Sequence, residues 1–566
     1  MIVVSSPQER RSALMNRFPS WEPMTLHRWF DLLSREFGSR PVVIDDDVVL
    51  SYDQVKEQSE DLARGLLELG VSPGDRVALL LANYIGYLPL KIALSRVGAI
   101  AVPLNFLYRE TELEYVLRQS GTSVLITMDE FSGLDYLSML DTIAPGWADH
   151  RQTALPDLRE VVFHVTGRPC RSGMRTLEQL AASGERARSL MLFPEVSPEA
   201  VSDMFYTSGT TGNPKGVLNT HDGLLRSSFA SAITRGMGEQ WRTLFSLPLY
   251  HTFGYTEGVL APIWVGGSVL PRAKFSAEDY LSGIERLKAT EILAVPTMMV
   301  AILDAARKRA YDLSSLKSVM SASAVAPVWV WEKTKELLGD PNIVTAWGMT
   351  ETSASCTMTL PEDPIQVHST TVGSPKIAGS AAATEGQLFR IATADPDTGE
   401  HLPAGVTGEV IVSSPSVMVG YWRNPDETAA VLRDGWLRTG DIGYIDPNGR
   451  MVLTGRAKEL YKSGGELIMP KEIEEFLTKI PGVSQAYAIG IPDEYWGEAG
   501  CAVIVTEPGA ELSEDKILDF CRVGLARFKV PKRVVFMKAE ELPATPTGKI
   551  QKFRLVEMMK NGNGTN

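Results

Sequence analysis

The densest concentration of chemistry in the sequence is Tyr206-Thr-Ser-Gly-Thr-Thr-Gly-Asn-Pro-Lys-Gly216, which packs five hydroxyls, three glycines and one lysine into eleven residues. Such a loop suits phosphate. Thr207, Ser208, Thr210 and Thr211 can donate hydrogen bonds, Gly209 and Gly212 let backbone N–H groups turn toward an anion, and Lys215 adds a compact positive charge. The G-x-x-x-x-G-K-[ST] spacing of a Walker A loop is absent. Further along, Thr350 sets a hydroxyl beside the Glu351 carboxylate, a pairing suited to holding Mg²⁺ against a nucleotide phosphate. Asp441, read as part of a Gly-containing turn, offers an acceptor-only carboxylate that fits a pair of ribose hydroxyls. No G-x-S-x-G elbow and no His/Cys/Asp cluster at metal-ligand spacing occurs, so hydrolase and zinc chemistry find no support.

These residues must be positioned by the elements between them. From residue 42 onward, β-branched runs alternate with amphipathic stretches: Val42 to Tyr52 as extended chain, then a helix whose Val55, Leu62, Leu66 and Leu69 share a face until Gly70. The pattern continues with a strand over Arg76 to Leu81, a helix to about Val97, a strand at Ala99 to Val102, a helix over Thr111 to Gln119, and a strand at Ser123 to Thr127. Later, Ile292 to Val295 leads into another helix. Repeated βα units predict an α/β fold with open, mostly parallel sheets covered by helices. After about residue 375, short strands punctuated by Gly, Pro, Asn and Asp predict a β-rich subdomain. The tail, with helices opened at Pro470 and Ser513 and strands near Gln485 to Ile489 and Cys501 to Val505, reads as a small α+β domain. The expected division is 1–457 and 458–566.

Composition narrows the partners. The chain has 566 residues, 44% hydrophobic and 22% charged, enough for a large core, and its 56 Lys+Arg against 69 Asp+Glu leave a net charge of −13. With no basic block, nucleic acid is not an expected partner. Four scattered cysteines, Cys170, Cys356, Cys501 and Cys521, read as reduced thiols of a cytoplasmic protein. The N-terminus shows no positive-then-apolar export pattern. The most apolar stretch, Ala78 to Tyr108, is interrupted by Lys91 and Arg96, so no integral membrane segment is expected.

The loop at 206–216 resembles the signature phosphate loop of the adenylate-forming superfamily, which includes acyl-CoA synthetases, firefly luciferase and the adenylation domains of nonribosomal peptide synthetases. Other segments follow in the family's order: Leu247-Pro-Leu-Tyr-His-Thr-Phe-Gly254, Ala346-Trp-Gly-Met-Thr-Glu-Thr352, Thr439-Gly-Asp441, Gly455-Arg-Ala-Lys458 with Ser463-Gly-Gly465, and Pro546-Thr-Gly-Lys549. The resemblance runs from about residue 25 to 555 and implies an ATP-dependent acid:CoA ligase that forms an acyl-adenylate and pyrophosphate, then acyl-CoA and AMP. It implies Lys549 as the catalytic lysine, Thr350 on the α-phosphate, Glu351 on Mg²⁺, Trp347 stacked on adenine, Asp441 on ribose and Arg456 on ribose or phosphate. Lys458 falls at the hinge of a mobile C-terminal lid, and Gly464 and Gly465 line the channel by which coenzyme A enters. His251 implies a gate at the acyl pocket, with Phe253, Gly254, Tyr255, Ala322 and Ser323 around it.

The acid is read less directly. A carboxylic acid, ionised at neutral pH, needs no general base to attack phosphorus. Phe253 is followed by Gly254 where peptide-synthetase domains carry an aspartate for an α-amino group, which disfavours an amino-acid substrate. Ser321-Ala-Ser-Ala-Val325 resembles the G-G-S-A-V run of synthetases for medium and long fatty acids, with Ser321 and Ala322 replacing two glycines. Apolar Phe253, Tyr255, Val259 and Leu260 suit a fatty, alicyclic or aromatic acid. The alternatives are delivery of the acyl group to a carrier-protein thiol, a non-catalytic nucleotide-binding relative, and a kinase-like ATPase. Oligomeric state is open, with a homodimer as the candidate assembly.

Overall fold

The computed structural model describes residues 6–560 except 47, 150–153, 168–172, 189–190, 208–213, 324, 457–458, 464–465, 494–496, 508, 526–528 and 546–549. The chain forms two compact units, Met1–Arg390 with Ser413–Leu437, and Ile391–Val412 with Arg438–Asn566.

The first unit contains two large sheets. In one, strands Arg242–Phe245, Glu291–Ala294, Ser318–Ala322 and Asn342–Met349 run parallel as neighbours, with Ala354–Met358 antiparallel at their edge. In the other, Arg76–Leu80, Ile100–Pro103, Val124–Met128 and Val201–Thr207 are parallel, and Lys215–Thr220 and then Gly420–Tyr421 add antiparallel strands. The central strands are buried on both faces, as their continuous apolar runs require. Leu244, Ile292 and Val319 from three neighbouring strands pack with Tyr280, Ile284, Ile302 and Trp331 from helices. The mostly parallel, helix-covered α/β architecture is the one expected from sequence.

Local rules account for the helix boundaries. Ser51 caps helix Tyr52–Glu68 with a reciprocal box to Gln54, and helix Tyr87–Val97 ends on Gly98 in the left-handed region, φ 70°. One reading changes: Val42 to Tyr52 is not a single extended run but a hairpin, Pro41–Asp45 against Val48–Ser51, with Asp46 at φ 40°. The Asp-rich segment that looks like strand interior supplies the turn.

The charges that interrupt the apolar stretch at 78–108 are buried and paired. Lys91 forms an ion pair with Asp203, both at most 1% exposed, and Arg96 binds Asp31 and donates to Ser59 Oγ at 3.0 Å. Among the described residues no helix is long and apolar enough to cross a membrane.

In the second unit, Arg438 onward continues a strand that pairs with Met451–Arg456. A separate sheet is built on the long hairpin Val483–Asp493 and Gly497–Thr506. Its period-two alternation sends Ala502 and Ile504 to one core with Ile473, Leu477 and Ile517, and Cys501 and Val503 to another with Leu555 and Met559. Helices Pro470–Leu477 and Glu514–Gly524 pack on the first face and Lys552–Lys560 on the second, giving the α+β tail its own interior.

Candidate active site

Strands Val201–Thr207 and Lys215–Thr220, which flank the Gly/Thr-rich segment in the sequence, pair antiparallel with Thr207 opposite Lys215 in register. Ser208, Gly209, Thr210, Thr211 and Gly212 lie outside the described residues. Lys215 forms an ion pair with Glu427, and its Nζ lies 5.4 Å from the centre of the Tyr421 ring. The Tyr421 hydroxyl in turn donates to Glu351 Oε1 at 2.8 Å, and burial together with this carboxylate pushes its own pKa up. Two residues 136 positions apart in sequence, Lys215 and Glu351, are therefore joined through one tyrosine ring.

The Thr350–Glu351 turn is held in place by the same strand pair. Asn219, fully buried, donates from Nδ2 to Thr350 O and to Ser353 Oγ, each at 3.0 Å, and Met418 N donates to Glu351 O at 2.7 Å. A short 3₁₀ turn, Thr350–Thr352, is followed by Ser353 at φ 58° and Ala354 at φ 120°, two non-glycine residues in the left-handed region. Such backbone persists only where surrounding bonds over-determine it. Thr352 Oγ1 donating to Ala354 O at 2.7 Å and accepting from Met349 N at 3.2 Å are among those bonds.

Trp347 lies three residues before Thr350 on strand Asn342–Met349, buried, and faces Thr357 across the ladder. Ala322, at the end of Ser318–Ala322, is in register with Ala346, and Ser323 follows at φ 77°. Ala322 and Trp347 thus sit at the carboxyl ends of adjacent parallel strands, where open α/β sheets place their ligands. The segment after strand Arg242–Phe245 belongs to the same edge and carries His251.

Asn83 pins that segment, donating from Nδ2 to Leu247 O at 2.9 Å and accepting from Leu249 N at 3.1 Å. Beyond it the chain enters a π-helix, Phe253–Leu260, a rare element that tends to mark functional sites. Gly254 is required there, because a Cβ would lie 2.5 Å from Pro248 O and 2.7 Å from Leu247 O. No aspartate fits at this position. The His251 ring packs 4.6 Å from Tyr250, and desolvation lowers its pKa to about 4, so the imidazole is neutral at physiological pH. Tyr255 is fully buried, with Lys91 Nζ 4.6 Å from its ring centre.

The π-helix is anchored by a buried charge cluster that sequence reading missed. Glu257 accepts from Ser355 Oγ, lies 3.4 Å from Arg235 and 3.9 Å from Lys376, and Arg235 also pairs with Glu291. Lys376 donates to Ser227 O, Ser227 Oγ and Ser231 Oγ at 2.8–3.0 Å, and its pKa falls to about 8, chiefly by burial. Through Ser355 this cluster reaches the strand that follows the Thr350–Glu351 turn.

In the second unit Asp441 lies within strand Trp436–Ile445 rather than in a turn, in register with Arg456 and bonded to its Nε at 2.8 Å. Gly440 at φ 72° kinks the strand without ending it. Lys458, Gly464, Gly465 and Lys549 lie outside the described residues.

A magnesium ion fits the donor set of the Thr350–Glu351 turn. One carboxylate and a hydroxyl are hard oxygen donors, and Mg²⁺ is commonly held by one or two carboxylates with substrate phosphates and water completing its shell. Among the described residues no cluster of three or more His, Cys, Asp or Glu side chains forms a dedicated metal cage.

Residues 30–422 match the family model described as AMP-binding enzyme, and residues 472–549 match the AMP-binding enzyme C-terminal domain. The chain is 34% identical over 531 residues to 3-[(3aS,4S,7aS)-7a-methyl-1,5-dioxo-octahydro-1H-inden-4-yl]propanoyl:CoA ligase of Mycobacterium tuberculosis, covering 93% of this chain and 97% of that protein. It is also 34% identical over 506 residues to feruloyl-CoA synthase of an Amycolatopsis species, covering 89% of this chain and 92% of that one. Among solved structures, the anthranilate CoA ligase AuaEII in complex with anthranoyl-AMP superposes with a TM-score of 0.81 at 27% identity, over 97% of this chain and all of the other.

Proposed function

This chain belongs to the AMP-binding enzyme family, and from that footing we propose how its residues divide the work of an ATP-dependent acid:CoA ligase. The acid, an anion at neutral pH, attacks the α-phosphorus of ATP and expels pyrophosphate; the acyl-adenylate then passes its acyl group to the thiol of coenzyme A, releasing AMP. The observation that carries the site assignment is the Lys215–Tyr421–Glu351 array beside Thr350, at the end of the strand pair that flanks the Gly/Thr-rich segment.

In this assignment the backbone and hydroxyls of 207–212 cradle the phosphates, Lys215 neutralises them, and Thr350 donates to the α-phosphate. Mg²⁺, held by Glu351, supplies charge neutralisation on the polyphosphate when bound. Trp347 stacks on adenine, Asp441 takes the ribose hydroxyls, and Arg456, already paired with it, fixes the carboxylate's orientation. Lys549 brings an ammonium to the oxygen where negative charge builds in the transition state, so it lowers the barrier more than it tightens ground-state binding. Lys458 is the hinge between residues 1–457 and a mobile lid of 458–566, and Gly464 and Gly465 leave room for the pantetheine arm.

The substrate class proposed is an apolar acid, fatty, alicyclic or aromatic. Support comes from the buried π-helix wall of Tyr255, Val259 and Leu260 and from relatives named for a bicyclic, a ferulic and an anthranilic acid. A neutral His251 forms part of that wall rather than a cationic partner for the carboxylate. The buried cysteines Cys356, Cys501 and Cys521, none in a disulfide, support a reducing, cytoplasmic setting. A homodimer is the proposed assembly, which light scattering reads directly.

The test is a panel of fatty, alicyclic and aromatic acids with ATP, Mg²⁺ and free coenzyme A, scored for AMP, pyrophosphate and acyl-CoA. Stoichiometric formation of all three with at least one apolar acid is expected. Release of ADP, or acyl transfer only to a carrier protein, contradicts the proposal. Lys549→Ala should abolish adenylation yet spare thioester formation from supplied acyl-AMP, and Lys458→Pro should do the reverse.

A further inference from the structure

Glu427 has no part in the assignment above, yet it holds the ammonium on which that assignment depends. It lies on helix Pro425–Val431, and three bonds fix the start of that helix: Glu427 N to Asn424 Oδ1 at 3.4 Å, Thr428 Oγ1 to Asn424 O at 2.8 Å, and Tyr421 N to Thr428 Oγ1 at 2.9 Å. Tyr421 pairs with Val217 two residues beyond Lys215, and Trp422 N donates to Gly216 O at 2.8 Å. Lysine and glutamate are thus carried on elements stitched together by backbone bonds, although 212 positions separate them in sequence.

The charge count makes this pair a competitor of the ligand. Among the described residues, one ammonium, Lys215, and two carboxylates, Glu351 and Glu427, stand around Tyr421. The carboxylate of Glu427 makes with Lys215 the kind of contact a phosphate oxygen makes, and a polyphosphate arriving there meets its negative charge at close range. Lys215 is 15% and Glu427 37% exposed at the side chain, so the glutamate has solvent to swing into when a phosphate takes its place.

Resting on the ligase reading above, we propose that Glu427 is a positioning residue acting through Lys215. In the nucleotide-free site it stands in for a phosphate oxygen on that ammonium, and after adenylation it recaptures the ammonium and speeds the departure of pyrophosphate. Tyr421 keeps the exchange local, its ring against Lys215 and its hydroxyl on Glu351, so that the second carboxylate does not follow the first.

The test is calorimetric binding of magnesium pyrophosphate to the full chain, with product-inhibition and single-turnover kinetics on the same preparations. Glu427→Gln, nearly isosteric and without the charge, should bind pyrophosphate about fivefold more tightly, the scale of one partly exposed ion pair. The KM for ATP should fall by a similar factor, and kcat should fall with it as pyrophosphate release slows. Glu427→Asp, which keeps the carboxylate, should return the constants toward wild type. Unchanged or weaker pyrophosphate binding in Glu427→Gln, or an Asp variant that behaves like the Gln variant, overturns the inference alone. Failure of the wild-type chain to bind pyrophosphate or ATP overturns it together with the ligase assignment.

Discussion

Replacing Glu257 by glutamine probes the buried cluster that anchors the π-helix. Arg235, Glu257, Glu291 and Lys376 balance two positive charges against two negative ones, each residue at most 1% exposed. The variant preserves shape and leaves one uncompensated positive charge at neutral pH, a loss of about 3–5 kcal/mol for a broken buried pair. Lys376 offers partial relief. Its amine is lowered from 10.5 to about 8 by burial, against the raising influence of Glu257; without that carboxylate it deprotonates at lower pH still. A base whose folded pKa lies below its unfolded one binds more protons when unfolded, so stability rises with pH through the interval between the two and is lost as pH falls through the folded value. For the wild type that interval is about 8 to 10.5, a difference of about 3 kcal/mol, and in the variant it begins lower. The deficit of Glu257→Gln should therefore be largest near pH 6 and shrink as pH rises toward 8. Urea unfolding followed by fluorescence, which buried Trp264 just beyond the π-helix reports, measures this. A deficit independent of pH, or none, refutes the cluster's role.

Other substitutions check neighbouring parts of the account. Gly254→Ala forces a Cβ against two backbone carbonyls that cannot rotate away, so it should destabilise by about 1–3 kcal/mol and raise KM for the acid more than for ATP, read by thermal unfolding and steady-state kinetics. Lys91→Met strands Asp203 in the interior with Ser202 Oγ at 2.8 Å, which should lower stability by about 3–5 kcal/mol, and adding Asp203→Leu should recover most of it in a double-variant cycle. The His251 imidazole should titrate near pH 4 by proton NMR; because its folded pKa lies below 6.5, it favours the folded state above that value and loses the contribution as pH falls toward 4.

Much of this fold was legible in the sequence because local signals and tertiary demand agree. The helices at 52–68, 87–97 and 110–120 and the strands between them follow hydrophobic period and caps that any reading of the chain contains. The hairpin Pro41–Asp45 against Val48–Ser51 escaped because no glycine, the usual signal of a tight turn, lies between its strands in the sequence. Asp441 was misplaced for a converse reason: a glycine that looked like a turn is a kink inside a continuous strand. In the first unit the Gly/Thr-rich segment with Lys215 and the Thr350–Glu351 pair stood out by type and spacing, and His251 and Trp347 only through the family resemblance, but the residues that hold them did not. Tyr421, Glu427, Asn219 and Glu257 are ordinary polar residues far along the chain from their partners, and only the sheet order brings them together. Asn424 and Pro425, among the punctuating residues of a segment read as β-rich, instead open the helix that carries Glu427, and nothing local could say which lysine its carboxylate would meet.

The central claim is that a carboxylate oxygen of the acid becomes bonded to the α-phosphorus of ATP. Supplying an accepted acid labelled with ¹⁸O in both carboxylate positions, with ATP, Mg²⁺ and coenzyme A, and weighing the nucleotide product by mass spectrometry tests it directly. The account predicts AMP carrying one ¹⁸O and pyrophosphate carrying none; unlabelled AMP, or label in orthophosphate beside ADP, contradicts it.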